Sequence, residues 1–261
     1  MSSLSKIFLP LLLMIFLITG CGGSEDKNKI VIGVDDEFAP ICFRDNKNNL
    51  VGFDVDLAKE AAKRLGVKIE FKPIDWNNKE EELTSGNIDM IWNGLDIIPD
   101  RQRYILYSKP YMTNRQILLV KKGNPQNIKT LGDLTNKIVA TQAGSNSEIH
   151  IEESKNLMNS FADFKTYLNI KEGFKSLDGG EVDVLIIDEI AARYATIRNP
   201  DAFEVIEDTV GPGTEIAIGF RKDDVELRDR VQKVFDDMIK DGTAKKISEK
   251  WFQADLIKFK K

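Results

Sequence analysis

Histidine and cysteine are scarce in this sequence, with one histidine and two cysteines among 261 residues. A metal site built from several histidines is therefore excluded, and a histidine base would have to be His150. His150 lies in a polar, helix-like stretch, so we expect it to be a solvated surface residue. Cys42 lies in an apolar segment, which favours a small buried core residue. Neither a metal nor a cofactor is expected.

The sequence also lacks a cluster of basic residues. Its 37 lysines and arginines are outnumbered by 42 aspartates and glutamates, so the formal net charge is −5. Nucleic-acid binding depends on grouped Lys and Arg side chains that neutralise phosphates. The composition therefore excludes a nucleic-acid partner, and its apolar share of 42% is typical of a soluble globular protein.

No apolar run is long enough to span a bilayer as a helix. The run at residues 7–18 follows Lys6 and is shorter than the roughly 20 residues that a spanning helix needs. Its length is typical of the apolar region of a signal peptide. We therefore predict a signal peptide over residues 1–20 and a flexible tether over residues 21–28.

The four residues around the predicted cleavage point, Ile18-Thr19-Gly20-Cys21, resemble the lipobox of bacterial lipoproteins. The resemblance implies a lipid-modified Cys21, with palmitate among its acyl chains, and two or more chains are enough for stable anchoring. An uncleaved anchor, or a secretory signal with a chance cysteine, is the alternative. If Cys21 carries lipid, Cys42 has no partner for an intrachain disulfide.

Short β-branched runs alternate with amphipathic helical patterns along the rest of the chain. Residues 30–34 are a compact strand-like run, and a helical stripe then follows Asp54, which we place at the N-cap, and ends at Gly66. Near the end of the chain, a further apolar stripe predicts a long amphipathic helix, at Leu227, Val231, Val234, Phe235 and Met238. The alternation of strands and helices predicts an α/β fold with parallel-rich sheets.

One short pattern occurs twice. Gly86-Asn87-Ile88-Asp89 precedes the apolar residues 90–92, and Gly180-Glu181-Val182-Asp183 precedes the apolar residues 184–187. Each copy predicts a helix end, a glycine turn and a buried strand, so the simplest interpretation is two similar lobes. Ligands of open α/β sheets bind beyond the carboxyl ends of the strands. Residues 93–96 and Asp188 would then face each other across a cleft.

Six motifs together resemble the polar amino-acid substrate-binding proteins of ABC importers. They cover about residues 29–252 and occur in the order of that family. They are residues 51–58, residues 85–95 with 99–101, residues 108–111, Gly144-Ser145, residues 188–192, and Asp241-Gly242-Thr243 before a helix that ends at Trp251-Phe252. The resemblance is specific because all six keep the family's order.

The resemblance implies a two-lobed fold of the periplasmic-binding-protein type II class. Lobe 1 would contain residues 29–117 and 219–261, and lobe 2 would contain residues 118–218. Two hinge strands, at residues 117–121 and 216–220, would join the lobes and let them close over a ligand. A ligand must favour the closed state by about 5.5 kcal/mol to move such an equilibrium from mostly open to mostly closed. Residues of both lobes must therefore contact it.

A free amino acid presents a carboxylate and an ammonium, and each needs partners. Arg101 supplies a bidentate fork for the carboxylate, and a helix start adds N–H groups and a hydroxyl from Gly144, Ser145, Asn146 and Ser147. The resemblance implies that Asp188, from lobe 2, binds the ammonium. A plain helix N-cap is the alternative for Asp188, and a solvated helix residue is the alternative for Arg101.

The resemblance also implies a set of residues around the ligand side chain. Phe38 and Trp76 would flank it, and aromatic faces also attract cations. Asp35 is similar to the residue that contacts the distal polar group of the ligand, while Asn93 and Gly94 would contribute a side chain and a backbone carbonyl. Core packing is the alternative for the two aromatic residues.

Asp96 departs from the family pattern, since many relatives have Ser or Thr there in contact with the ammonium. Its carboxylate either points to solvent or makes the site more acidic. Together with Asp35 and Asp188 it favours a cationic amino acid, while glutamine, histidine and cystine stay open.

The sequence thus predicts an extracytoplasmic, membrane-anchored lipoprotein that captures a polar L-amino acid as a monomer and delivers it to the permease of an ABC importer. An enzyme on the same fold, such as a dehydratase, is one alternative, although Arg101 and Asp188 suit capture better than turnover. A ligand-sensing domain that acts with a membrane receptor is another.

Overall fold

The computed structural model describes residues 28–258, so the predicted signal peptide and Cys21 lie outside the described residues. Strands and helices alternate as predicted. The strands are β1 Lys29–Val34, β2 Glu37–Phe38, β3 Cys42–Arg44, β4 Leu50–Val51, β5 Lys68–Pro73, β6 Met90–Asp96, β7 Ile105–Tyr107, β8 Met112–Lys121, β9 Ile138–Gln142, β10 Asp163–Tyr167, β11 Val184–Asp188 and β12 Phe203–Arg221.

The helices connect these strands and cover the sheet. They are α1 Phe53–Leu65, α2 Lys79–Thr84, α3 Asn146–Glu153, α4 Lys155–Met158, α5 Ile170–Gly179, α6 Glu189–Arg198, α7 Val225–Lys240 and α8 Thr243–Phe252, with short 3-10 helices at Trp76–Asn78, Arg101–Arg103 and Leu131–Leu134. Across residues 28–258, none of the helices has both the length and the apolar character needed to cross a bilayer.

Nine of the described strands form one mixed sheet, in the order β10-β9-β11-β8-β12-β6-β1-β5, with β7 also paired to β12. Pairing inside each half is parallel: β1 pairs with β5 and β6, and β9 pairs with β10 and β11. The two central strands, β8 and β12, pair antiparallel with each other and with β11 and β6. A mixed sheet covered by helices confirms the predicted α/β class.

Strands β8 and β12 connect the two halves. In β8, residues 116–120 pair with β11, whereas residues 112–114 pair only with β12. In β12, residues 216–220 pair with β6, and register shifts interrupt the strand between residues 206 and 214. The predicted hinge segments lie in these two strands. The change of pairing partner falls just before the predicted segment in β8, between residues 114 and 116, and at the first residue of the predicted segment, Ile216, in β12. The residue boundaries of the lobes stay a prediction.

The pattern that occurs twice in the sequence forms the same local structure in both halves. Helices α2 and α5 are each followed by a glycine with a left-handed backbone, Gly86 with φ of 78° and Gly180 with φ of 74°. Strands β6 and β11 follow, and both are buried except at Asp188. The repeat therefore brings the carboxyl ends of two equivalent strands to the centre of the molecule.

Helix α7 forms where apolar residues are spaced to lie on one helical face. Leu227, Val231, Phe235 and Met238 recur at intervals of three and four residues, and all four are buried. The Asp224 side chain caps the helix by accepting the N–H of Leu227 at 3.2 Å. The predicted long amphipathic helix is confirmed. Cys42 is also buried in the core, as predicted, and burial raises the pKa of its thiol.

Helix α1 begins differently from the prediction. Gly52 is its N-cap, and Asp54 lies inside the first turn. Asp54 is fully buried and accepts hydrogen bonds from the Tyr111 hydroxyl at 2.8 Å and from the N–H of Gly94 at 2.7 Å. Burial raises the pKa of Asp54 to about 7. Instead of capping the helix, this carboxyl group ties α1 to the end of β6.

Candidate ligand-binding site

A cavity lies where the carboxyl ends of β1, β6, β9 and β11 meet. It is lined by Asp35, Phe38, Trp76, Asn93, Gly94, Asp96, Arg101, Gln142, Ser145, Asn146 and Asp188. The cavity volume is only about 20 Å³, which leaves room for about one water molecule. The two halves are therefore nearly closed on each other.

Ten of the twelve residues predicted for the ligand site line this cavity, and Gly144 and Ser147 do not. A wider groove lies nearby, between residues 36–48 and helices α5 and α6. None of its lining residues has a buried polar side-chain atom without a hydrogen-bond partner. We therefore place the candidate site in the smaller cavity.

Two buried cations lie at one side of the cavity, in a cluster of Lys79, Glu80 and Arg101, and Arg101 lines the cavity. The Arg101 Nε donates to Glu80 Oε1 at 3.0 Å, and its Nη2 donates to the Gly144 carbonyl of the other half at 2.8 Å. Lys79 Nζ donates to the same carbonyl at 2.8 Å and lies 5.2 Å from the centroid of the Trp76 ring. Burial and the nearby Arg101 charge lower the pKa of Lys79 to about 7. Two of the five N–H donors of Arg101 are thus used, and three remain for a carboxylate.

Gly144 is a contact between the halves. Its φ is 70°, and a Cβ atom there would lie 2.6 Å from the Cα of Asn77 and 3.1 Å from the carbonyl oxygen of Trp76. Its N–H donates to the Glu148 carboxylate at 2.6 Å. This N–H therefore already has an acceptor within the protein, and its predicted contact with the ligand stays a prediction.

The start of helix α3 supplies the other predicted donors. The Ser145 hydroxyl caps the helix by accepting the N–H of Glu148 at 3.2 Å. The N–H groups of Asn146 and Ser147 have no intrahelical acceptor, because they belong to the first turn. The Ser147 side chain is fully buried and donates its hydroxyl to Gln116 Oε1. This hydroxyl therefore contacts Gln116 in the structure, and its predicted contact with the ligand stays a prediction.

Two carboxyl groups from opposite halves meet on another wall. Asp96 Oδ1 accepts the Thr214 hydroxyl at 2.6 Å and the Asn114 Nδ2 at 3.1 Å. The same Asn114 Nδ2 also donates to Asp188 Oδ1, which accepts the Gln116 Nε2 at 2.7 Å. Burial raises the pKa of both carboxyl groups, and the charge of Asp96 raises that of Asp188 further. Asp96 therefore faces the site, beside Asp188, and not the solvent.

Asp35 lies directly after β1 and is buried. Its carboxylate accepts the N–H of Glu37 at 3.0 Å and the Gln142 Nε2 at 2.6 Å. Burial raises the pKa of Asp35 to about 6. Phe38 and Trp76, both buried, also line the cavity. Gln142 was not predicted as a site residue. It lies at the carboxyl end of β9, and the same kind of position, at the end of β11, led to the prediction of Asp188.

Several buried amide groups in this region have no partner among the described residues. Both polar side-chain atoms of Asn93 and of Asn146 are in this condition, as is Oδ1 of Asn114. A buried polar atom without a partner costs about 1–3 kcal/mol, so native proteins seldom leave one unsatisfied. Asn93 and Asn146 line the cavity, and they are therefore poised to hydrogen-bond a ligand.

The strand β8 contributes two residues that the sequence analysis missed. Asn114 and Gln116 alternate with Arg115, so their side chains point to the face that carries the site. Arg115 lies on the other face, where it donates to Glu189 at 2.5 and 2.7 Å. The alternation of side chains between the two faces of β8 could be expected from the sequence. The residues that each face contacts could not.

The exposure of His150 differs from the prediction of a solvated surface residue. Its side chain is only 16% exposed, and its Nε2 is buried without a partner among the described residues. A Cβ atom at Gly211 would lie 2.3 Å from its ring, so the irregular part of β12 covers this histidine. Residues 28–258 contain no group of three or more His, Cys, Asp and Glu side chains placed to hold a metal ion.

Comparisons with known proteins identify the family and the fold. The family model of the bacterial extracellular solute-binding proteins, family 3, matches residues 30–254. The L-cystine-binding protein TcyJ of Escherichia coli K12 is 30% identical over 234 residues, which cover 90% of this chain and 86% of that protein. The arginine-binding extracellular protein ArtP of Bacillus subtilis is 33% identical over 248 residues, covering 92% and 94%. A crystal structure of an ABC uptake transporter substrate-binding protein from Streptococcus pneumoniae, with bound histidine, has a TM-score of 0.84 at 34% identity and covers 89% and 95%.

Proposed function

The chain belongs to the bacterial extracellular solute-binding proteins of family 3, and we propose that it captures a polar L-amino acid between its two lobes and delivers it to an ABC importer. The relatives named above bind cystine and arginine, and the related solved structure holds histidine. The observation that carries the proposal is the cavity itself. Cation donors, paired carboxyl groups and amides without partners converge there from both halves.

Each part of a zwitterion has a partner in this arrangement. The ligand carboxylate takes the free donors of Arg101 and the N–H groups of Asn146 and Ser147 at the start of α3. Its ammonium lies against the free oxygens of Asp96 and Asp188. Because the two carboxyl groups come from opposite halves, an ammonium between them stabilises the closed arrangement.

Asp35 is the basis for the proposed specificity. It is a buried carboxyl group whose direct partners are an amide and a backbone N–H, both neutral. A guanidinium or ammonium on the ligand side chain would supply the missing positive charge, and the Phe38 and Trp76 rings would add cation–π attraction. We therefore expect arginine, lysine or ornithine to bind better than glutamine, with histidine and cystine behind.

A ligand screen tests the function. Thermal unfolding of the purified chain is measured with each amino acid, and the stabilising ones are titrated by calorimetry. A true ligand raises the melting temperature with its concentration, as mass action requires. No stabilisation by any of the amino acids would overturn the proposal. A neutral amino acid with the largest shift would overturn only the cationic preference.

We further propose binding without turnover. Prolonged incubation with the ligand, followed by mass spectrometry of the released molecule, should recover it unchanged. A product of altered mass would instead support an enzyme on the same fold.

The proposed location depends on Cys21, which lies outside the described residues. Cys21→Ala should leave the protein unprocessed or release it from the membrane fraction. Cys42→Ala is the matched control, because Cys42 is buried in the core and cannot carry the lipid. A correctly trimmed Cys21→Ala protein that stays in the membrane fraction would refute lipid anchoring. Light scattering on the processed protein tests the expected monomer.

A further inference from the structure

Asp96 and Asp188 are held together by a single side chain. Asn114 Nδ2 donates one hydrogen to Asp96 Oδ1 and the other to Asp188 Oδ1, so the two carboxyl groups are neighbours. Asn114 lies in β8 at the point where that strand changes its pairing partner. In a rotation about the hinge strands, groups beside the hinge move least. Both carboxyl groups lie beside these strands, because Asp188 pairs with Gln116 of β8 and Asp96 pairs with Ile216 of β12.

The side chains that bond to this pair are all neutral. Thr214 donates to Asp96, Gln116 donates to Asp188, and Asn114 donates to both. No cation within residues 28–258 has a hydrogen bond or salt bridge to either carboxyl group.

Four elements bring charged or titratable groups towards the pair. Arg101, from the 3-10 helix after β6, acts electrostatically on both carboxyl groups, but it is paired with Glu80. His150, from α3, acts on Asp96. Tyr107 of β7 donates its hydroxyl to the backbone carbonyl of Asp96 at 3.4 Å, and Tyr111 of β8 donates to Asp54. The neighbouring Arg115 of β8 is paired with Glu189 of α6. Two adjacent buried carboxylates without a bonded cation do not both ionise readily, since like charges in one site favour protonation of one of them.

We propose that Asp96 and Asp188 hold one proton between them while the site is empty, and that the ammonium of the ligand replaces this proton on binding. Asn114 is then a positioning residue that keeps the two carboxyl groups together. One proton leaves to solvent for each ammonium that enters, and no covalent bond of the ligand changes. The inference rests on the proposed function. Burial raises the pKa of both carboxyl groups, and the charge of Asp96 raises that of Asp188 further.

The exchange has a defined effect on affinity. The empty site binds one more proton than the loaded site, so affinity must rise with pH as long as the pair is protonated. The rise is up to tenfold per pH unit for one released proton, and it ends once the pair is ionised in the empty protein.

Calorimetry in buffers of different ionisation enthalpy measures the released protons directly. L-Arginine, and L-glutamine as a second probe, are titrated into the purified chain at about pH 6, on the acid side of the expected plateau. The observed heat should depend on the buffer with a slope near one proton released per ligand. Binding with a heat that is independent of the buffer would overturn this inference alone. No binding of either probe, together with no stabilisation by any amino acid in the ligand screen, would overturn the proposed function with it.

Variants assign the proton to the pair. Asp96→Asn should remove most of the release, because the remaining carboxyl group has no charged neighbour to share a proton with. Asp100→Asn is the matched control, since Asp100 is exposed and should keep the full release. Equal release from Asp96→Asn and the parent protein would overturn the assignment. If Asp96→Asn does not bind the ligand, two other measurements test the proton exchange. Asn114→Ala should release fewer protons per ligand than the parent protein. The ligand affinity of the parent protein should rise with pH, and an affinity that does not change with pH would refute the exchange.

Discussion

Replacing Gly144 with alanine should have two separate free-energy costs, one on folding and one on closure of the lobes. An alanine there must adopt φ near 70°, which costs a non-glycine residue about 1–2 kcal/mol whether the lobes are open or closed. Its Cβ would also lie 2.6 Å from the Cα of Asn77, but only when the lobes are closed. The first penalty lowers stability, and the second lowers ligand affinity.

The size of the second penalty follows from the contacts around Gly144. Ordinary carbon–carbon contacts are about 3.5–4.0 Å, so the halves must separate by about 1 Å at this point. That movement lengthens the two hydrogen bonds from Arg101 and Lys79 to the Gly144 carbonyl, both now 2.8 Å. Each involves a charged donor and contributes about 1.5–3 kcal/mol. With partial loss of both, Gly144→Ala should weaken binding by about 2–4 kcal/mol, or roughly 30- to 800-fold.

Gly180→Ala provides the matched control. Gly180 has φ of 74°, and nothing lies within 4 Å of a Cβ atom placed there. Both variants should lower the melting temperature of the ligand-free protein by about 2–8 °C. In calorimetry with the best ligand of the screen, only Gly144→Ala should lose affinity. Affinity of Gly144→Ala within twofold of the parent, or an equal loss in Gly180→Ala, would refute the reasoning.

Three further predictions concern single charges. Arg101→Ala and Asp188→Ala should each weaken ligand binding by about 2–5 kcal/mol, because each leaves a charged ligand group without its partner; near-parental affinity in calorimetry would remove that residue from the site. Asp35→Asn should weaken arginine binding more than glutamine binding, since only arginine loses a charge pair, and equal losses would contradict a cationic ligand. The pKa of Asp54 is about 7 in the folded protein against 3.8 ordinarily, so the folded state binds more protons and stability should fall as pH rises between these values. Asp54→Asn should flatten that fall in urea unfolding, and an unchanged pH dependence would refute it.

Local patterns were enough to predict the parts of the fold that depend on near neighbours in the chain. The spacing of Leu227, Val231 and Phe235 determines a helix with one buried face, and the confirmed helix α7 has that face. The repeated glycine turn predicted two equivalent strands, and the rule for strand ends placed Asp188 at a cleft. The ten predicted residues that line the cavity were identified from two sources, the rule for strand ends and the family resemblance.

The errors arose where a residue's role depends on a partner far away in the sequence. Asp54 was taken for a helix cap because its partners, Gly94 and Tyr111, lie 40 and 57 residues later. His150 was taken for a surface residue because the strand that covers it, near Gly211, is remote and irregular. Nothing in the local sequence encodes such a contact.

Spacing along the chain is enough to identify the helices and strands, their apolar faces and the side chains at the carboxyl ends of the strands, because these properties depend on near neighbours. The contacts that Asn114 makes with Asp96 and Asp188, and those that Lys79 and Arg101 make with the Gly144 carbonyl, could be found only in the folded protein. Both arrangements depend on the register of β8 against β11 and β12 and on the closure of one half upon the other. A register shift of one residue would turn Asn114 to the opposite face, although the strand itself would be unchanged.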